Sequence, residues 1–208
     1  MQVKKARGRP RSAQARAAVL QAAYDILADG GFAAFSIDAV ASRSGVARTT
    51  IHRWWASRGV LAIESFVEHT LANFDFQISC SASADFLRLI GDACERLGGA
   101  DGRVVASIIA EAQRDPDTLV LFNELYFHPV RSAAMAVVQA GIDSGEFRAE
   151  LDPVVMLDAG IGAIYAKLLL QQPLTLEWSA RLARQLLGGA LAERDPRSVT
   201  RSGAELVR

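Results

Sequence analysis

Residues 36–58, reading SIDAVASRSGVARTTIHRWWASR, constrain the fold more than any other stretch of the chain. Ser36 is a strong N-cap ahead of Ile37, Val40 and Ala41, whose spacings of three and four place one apolar stripe on a short helix. Asp38 complements the positive first turn of that helix. Gly45 follows where the helix must stop, because only glycine takes the left-handed C′ conformation without steric cost. A second helix starts near Arg48, with Ile51, Trp54 and Trp55 turned inward. Helix, glycine turn, helix is the helix-turn-helix plan, in which the second element enters a major groove.

Arg48, Thr49, Thr50, His52 and Arg53 then face outward. Arginine can fork onto guanine, threonine can meet a thymine methyl or a phosphate, and histidine can donate to a phosphate oxygen. The charge distribution agrees with a polyanionic partner. The chain has no net formal charge, yet residues 1–60 hold ten lysines or arginines against three acids, while the remainder holds thirteen against twenty. Ahead of the motif, Lys4, Lys5, Arg7, Gly8, Arg9, Pro10 and Arg11 read as a disordered basic arm over residues 1–11, able to lay Arg7, Arg9 and Arg11 into a minor groove. Residues 12–29 read as one amphipathic helix ended by Gly30 and Gly31, with Phe32 and Phe35 plugging the loop that follows. Ser57 caps a fourth helix from Arg58 to about Asn73.

An amphipathic first helix, the run FSIDAVASRSGVARTTIHRWWASRGVL and a long fourth helix together resemble the TetR repressor family over residues 12–65. The resemblance implies double-stranded operator DNA as a partner, with Ser36, Arg48, Thr49, Thr50, His52, Arg53 and Arg58 at the DNA. Four positions depart from the family pattern. His52 stands in place of a tyrosine that touches the DNA backbone, Arg58 in place of a lysine, and Ala56 in place of a frequent proline. Ala47 replaces the Ser or Thr that caps the recognition helix, at a cost of about 1 kcal/mol.

The remaining residues carry no chemistry of their own. A phosphate loop, a nucleophile elbow and a zinc-protease helix are all absent, and His52, His69 and His128 are far apart in sequence, so neither an enzyme nor a metal site nor a cofactor is expected. Asp115-Pro116 and Asp152-Pro153 each read as an N-cap followed by proline at the first helical position. Expected helices cover 84–98, 102–114, 116–143, 153–171 and 176–193. The fold class is therefore all-α with about nine helices: a helix-turn-helix bundle over 12–57, a larger ligand-binding and dimerisation domain over 58–193, and a polar tail over 194–208. The N-terminus lacks the apolar stretch of a secretory signal and the longest apolar runs are too short to span a bilayer, so the expected location is the cytoplasm, away from membranes.

The segment 153–171 alternates Ala159, Gly160, Gly162, Ala163 and Ala166 with larger apolar residues. Glycines inside a helix cost stability, which suggests close approach of another helix, and with Leu182, Leu186 and Leu187 of 176–193 they suggest a homodimer seam. The resemblance further implies a pocket for a small-molecule effector among residues 84–171. Its candidate lining is Cys94, Phe122, Tyr126, Phe127, His128, Met135 and Tyr165, apolar walls with a few polar tips. Cys94 also lies on the apolar stripe Phe86, Leu87, Ile90 and Leu97, which marks it as a buried small hydrophobe rather than a redox sensor. The expected function is sequence-specific transcriptional regulation by a ligand-released homodimeric repressor. The rival is an all-α small-molecule carrier whose N-terminal bundle no longer reads DNA.

Overall fold

The computed structural model describes residues 9–71 and 78–191, which caps, prolines and glycines divide into ten α-helices. The helices are α1 Arg9–Ala34, α2 Ile37–Ser44, α3 Arg48–Trp54, α4 Arg58–Leu71 and α5 Ala82–Leu97, then α6 Ala100–Ala112, α7 Pro116–Phe122, α8 His128–Asp143, α9 Pro153–Leu169 and α10 Leu176–Ala190. Among the described residues the only β pairing is an isolated bridge between Phe147 and Leu191, where the Arg148 N–H donates to Ala190 O at 2.8 Å. No helix among them is long and apolar enough to cross a membrane.

Helices α5, α6, α9 and α10 begin or end one to three residues from the expected positions, and three further features depart from the sequence reading. Helix α1 begins at Arg9, with Pro10 in its first turn, so residues 9–11 belong to a helix and not to an extended arm. Residues 1–8, including Arg7, and the tail 194–208 lie outside the described residues, as do the side chains of Arg9 and Arg11. At the other end of α1, Gly31 alone breaks the helix, at φ 59° and ψ −162°, and a further turn carries Phe32 onto Phe35 with ring centroids 5.5 Å apart. The third difference lies within 116–143, which is one continuous helical rod interrupted by a π-helical turn, Asn123–Phe127. Pro129 accounts for it: proline has no N–H to give, and its ring would strike the carbonyl of Leu125 four residues back, which a wider turn avoids.

Capping follows the sequence closely elsewhere. Ser36 Oγ accepts from the Ala39 N–H at 3.1 Å, Ser57 Oγ from Val60 at 3.2 Å, and Asp152 Oδ1 from Val154 and Val155 at 2.9 and 3.1 Å. Asp115 instead accepts the Thr118 hydroxyl, at 2.6 Å.

One apolar core runs through both halves. Leu27, Phe35, Val40, Ile51 and Trp55 fill the N-terminal bundle, Leu61 and Phe66 of α4 continue it, and Phe86, Val105, Ile108 and Val138 fill the larger domain. Polar contacts brace the junction. The Tyr24 hydroxyl donates to Asp101, the Tyr24 ring stacks on His69 at 3.5 Å, and Arg103 donates to Ala28 O at 3.3 Å.

A candidate nucleic-acid interface and the cavity behind it

Gly45 joins α2 to α3 in the left-handed conformation, φ 69°, and its N–H donates to Ala41 O at 3.0 Å. The tight corner leaves α3 proud of the bundle, anchored by Ile51 and Trp55, both buried. The Trp55 indole N–H donates to Glu64 on α4 at 2.9 Å, and the same carboxylate oxygen receives Arg16 of α1 at 2.7 Å. The exit of the recognition helix is thereby tied to α1 and α4 together. Trp54 packs edge-on against Trp55, half-buried.

The outer face of α3 presents Arg48, Thr49, His52 and Arg53, all exposed, with Thr50 half-buried beside them. Arg48 pairs with Asp38 of α2 at 3.0 Å and its Nε approaches His52 Nε2 at 3.4 Å, which holds both side chains over the turn. Ser36 uses its oxygen as the cap of α2 and keeps its O–H for an outside acceptor. Arg58 is placed differently from the sequence expectation. Its guanidinium binds Glu111 of α6 at 2.5 Å and lies over the Phe32 ring at 5.5 Å, so reaching a phosphate requires leaving both.

Behind this bundle, α5, the π-helical turn, α8 and α9 surround a mainly apolar cavity of about 80 Å³. Phe86 and Ile90 of α5 face Leu157 and Ile164 of α9 across it, and Tyr126, Phe127 and Tyr165 complete the wall. Burial is the main cause that pushes the Tyr126 phenol up to about 12, and burial with the neighbouring Tyr126 raises Tyr165 as well. Both hydroxyls are protonated at neutral pH, as an ordinary phenol is, and can donate. Charged groups on the lining are Asp92, Arg96 and Arg131, the last paired with Asp158 at 2.5 Å.

Of the residues expected to line a pocket, Tyr126, Phe127 and Tyr165 do so, while Cys94, Phe122, His128 and Met135 stand off it. Cys94 is fully buried in the core, which raises its thiol to about 11. Phe122 lies against the Tyr126 ring, centroids 5.4 Å apart. His128 is exposed, and Met135 is half-buried against the core. The α5 residues of the wall were legible only as an apolar stripe; the stripe that the sequence assigns to core is the one that faces the cavity.

Residues 19–64 match the family of bacterial regulatory proteins, tetR family, and residues 80–186 match the tetracyclin repressor-like C-terminal domain. An uncharacterized HTH-type transcriptional regulator of Bacillus subtilis (strain 168), YdeS, is 30% identical over 164 residues, 79% of this chain and 83% of that protein. The chain belongs to the TetR family. Among solved structures, the TetR-family transcription regulator SCO0332 superposes with a TM-score of 0.70 at 28% identity, covering 86% of this chain and 100% of its own. FadR from Bacillus subtilis, solved with stearoyl-CoA, shares the fold at a TM-score of 0.67 and 18% identity, over 83% of this chain and 97% of its own.

As a TetR-family protein the chain is a DNA-binding transcriptional regulator with a C-terminal ligand-binding domain, not an enzyme, and the carrier alternative falls away. Ala47, the N-cap of α3, makes no side-chain capping hydrogen bond. The recognition helix of this TetR-family regulator is held by its tryptophan and glutamate anchors instead.

Proposed function

We propose that the protein holds an operator as a homodimer in the cytoplasm, represses from it, and lets it go when a small molecule fills the cavity between α5 and α9. The observation that carries this reading is the position of Tyr126. One side of it lines the cavity, and its ring stands edge-on to Phe66 of α4 with centroids 4.8 Å apart. Helix α4 starts directly after the recognition helix and carries Glu64, the acceptor of Trp55. An occupant that displaces Tyr126 thus tilts α4, and α4 carries α3. Coupling of about 1–3 kcal/mol weakens operator binding some 5- to 150-fold. The FadR relative holds stearoyl-CoA, which supports an organic effector for a ligand domain of this fold.

The dimer reading rests on α9. Val155, Ala159, Gly162, Ala166 and Leu169 lie on one face at spacings of three and four, and all are exposed. A Cβ on Gly162 would meet nothing within 4 Å in its own chain, so packing within the chain does not explain this glycine. Gly160 is different, because its close neighbour is Leu186 of the same chain. On α10, Leu187 is buried and Leu182 and Leu186 are half-buried, while Leu176, Glu177, Arg181, Arg184, Gln185, Gly188 and Gly189 are exposed. A symmetric pair places two recognition helices for half-sites about 34 Å apart.

The test is a salt titration of binding to DNA from upstream of the protein's own gene, with a scrambled duplex of equal length alongside. Preference for the upstream DNA with a steep salt slope is expected. Equal, weak binding to both duplexes would sink the operator assignment at that locus.

A further inference from the structure

The cavity discriminates among ligand chemistries. Resting on its reading as the effector site, we infer that its occupant is an uncharged, mostly apolar molecule, about one ring in size, whose acceptor oxygen is bound by Tyr126 and Tyr165.

Four observations lead there. The interior polar groups are two phenols, and among the described residues neither hydroxyl has a hydrogen-bond partner, although Tyr126 is only 8% exposed. Among the described residues no buried side-chain nitrogen or oxygen lacks a partner, so both hydroxyls open onto the cavity, and an occupant that shuts solvent out of it must supply the partner. A protonated phenol has one O–H to give, which an acceptor such as a ketone, ether or ester oxygen can take.

The charges around the cavity balance. The lining carries Asp92, Arg96 and Arg131, and Arg131 is committed at 2.5 Å to Asp158 outside it, which leaves one acid and one base on the wall. A carboxylate entering such a site would shed its water without a net countercharge in return. Size is the last constraint. A cavity of about 150 Å³ in another protein admits benzene, and this one encloses about 80 Å³, so a single ring enters only by moving a wall. The π-helical turn that carries Tyr126 and Phe127 is the wall with the least regular backbone.

Calorimetric titration of the full chain with acetophenone, ethylbenzene and benzoate separates the possibilities, since the three are similar in shape and differ in polarity. Acetophenone is expected to bind about 3- to 10-fold more tightly than ethylbenzene, the value of one or two neutral hydrogen bonds, with benzoate weakest. Tyr126→Phe removes a single hydroxyl; it should bring acetophenone close to the affinity of ethylbenzene and leave ethylbenzene unchanged. Tightest binding by benzoate, equal binding of acetophenone and ethylbenzene to the unaltered protein, or no binding by any of the three would each overturn the inference. Operator release measured on the same samples tests the functional reading separately: acetophenone bound with the operator still held would reject ligand release and uphold the ligand class.

Discussion

Gly59 sets how closely α4 and α7 can pack, at the scale of a single atom. A Cβ there would lie 2.1 Å from Thr118 Oγ1, and Thr118 is buried and hydrogen-bonded to Asp115 at 2.6 Å, so the hydroxyl cannot step aside. Gly59→Ala should cost about 1–3 kcal/mol in urea denaturation, as overpacking does. Pairing it with Thr118→Ala removes the clashing oxygen, and the double variant should recover part of the loss; strict additivity would show that the clash is not the cause. A second residue governs acid stability. Glu146 accepts the Ala82 and Ser83 N–H groups at 2.8 and 3.0 Å and the Ser81 hydroxyl at 3.3 Å, so it caps α5 from the far end of α8. Hydrogen bonds from Ser83 foremost hold its carboxyl below the ordinary value of 4.5. The sign follows: a depressed folded value contributes stability that is present above the unfolded value and fades as pH falls through the folded one. Glu146→Gln should therefore melt lower than the unaltered protein at pH 7, with the gap closing in acid; a gap of constant size would refute the assignment. Neither Glu146 nor the Arg58–Glu111 pair was legible in the sequence, because their partners lie 63 to 65 and 53 residues away. Ser36, Gly45 and Asp152 were legible because their partners are two to four residues off.

Elements are governed by local signals until tertiary packing overrides them. The α2–α3 corner and the proline-marked starts of α7 and α9 stand where sequence places them, since a cap or a missing N–H acts within one turn. The π-helical turn was invisible for the opposite reason. Its cause, Pro129, reads as one residue inside a good helical pattern, and its effect falls on Tyr126 and Phe127, which the wider turn swings toward α9, with Phe127 edge-on to Tyr165 at 6.4 Å. The recognition helix itself is left without a side-chain cap. Ala47 has φ −57° and ψ 136°, a backbone that serine adopts freely as an N-cap, and it lacks a side-chain acceptor for the first-turn N–H groups. Ala47→Ser should raise unfolding free energy by about 0.5–1 kcal/mol. If stability stays level, those N–H groups are already satisfied by water at no cost, and Ala47 is not a weak point of the fold.

Across the whole molecule, charge and apolar surface are sorted into separate places. The net positive charge sits in the first 60 positions, and the exposed aliphatic residues include Val154, Val155, Leu169 and Leu170 at the two ends of α9. Sequence alone could weigh the small residues of α9 only as a group, as helix contact within one chain or between two. The structure divides them, because Gly160 faces Leu186 and Ile90 while Gly162 faces open space. That division makes the dimer testable with three substitutions. Gly160→Ala puts a Cβ 3.2 Å from Leu186 Cδ1 of the same chain, so its effect on stability should be the same in monomer and dimer and should leave association unchanged. Gly162→Ala in a monomer would raise stability by about 1 kcal/mol, the ordinary gain for an exposed mid-helix glycine. In a dimer that uses this face it should instead weaken association, and Gly162→Leu should abolish it. Sedimentation at micromolar concentration reads the result: a dimer for the unaltered chain and a folded monomer for Gly162→Leu place the twofold axis at α9. If Gly162→Leu sediments as a dimer, the seam lies on another face, and the spacing of the two recognition helices must be rebuilt from there.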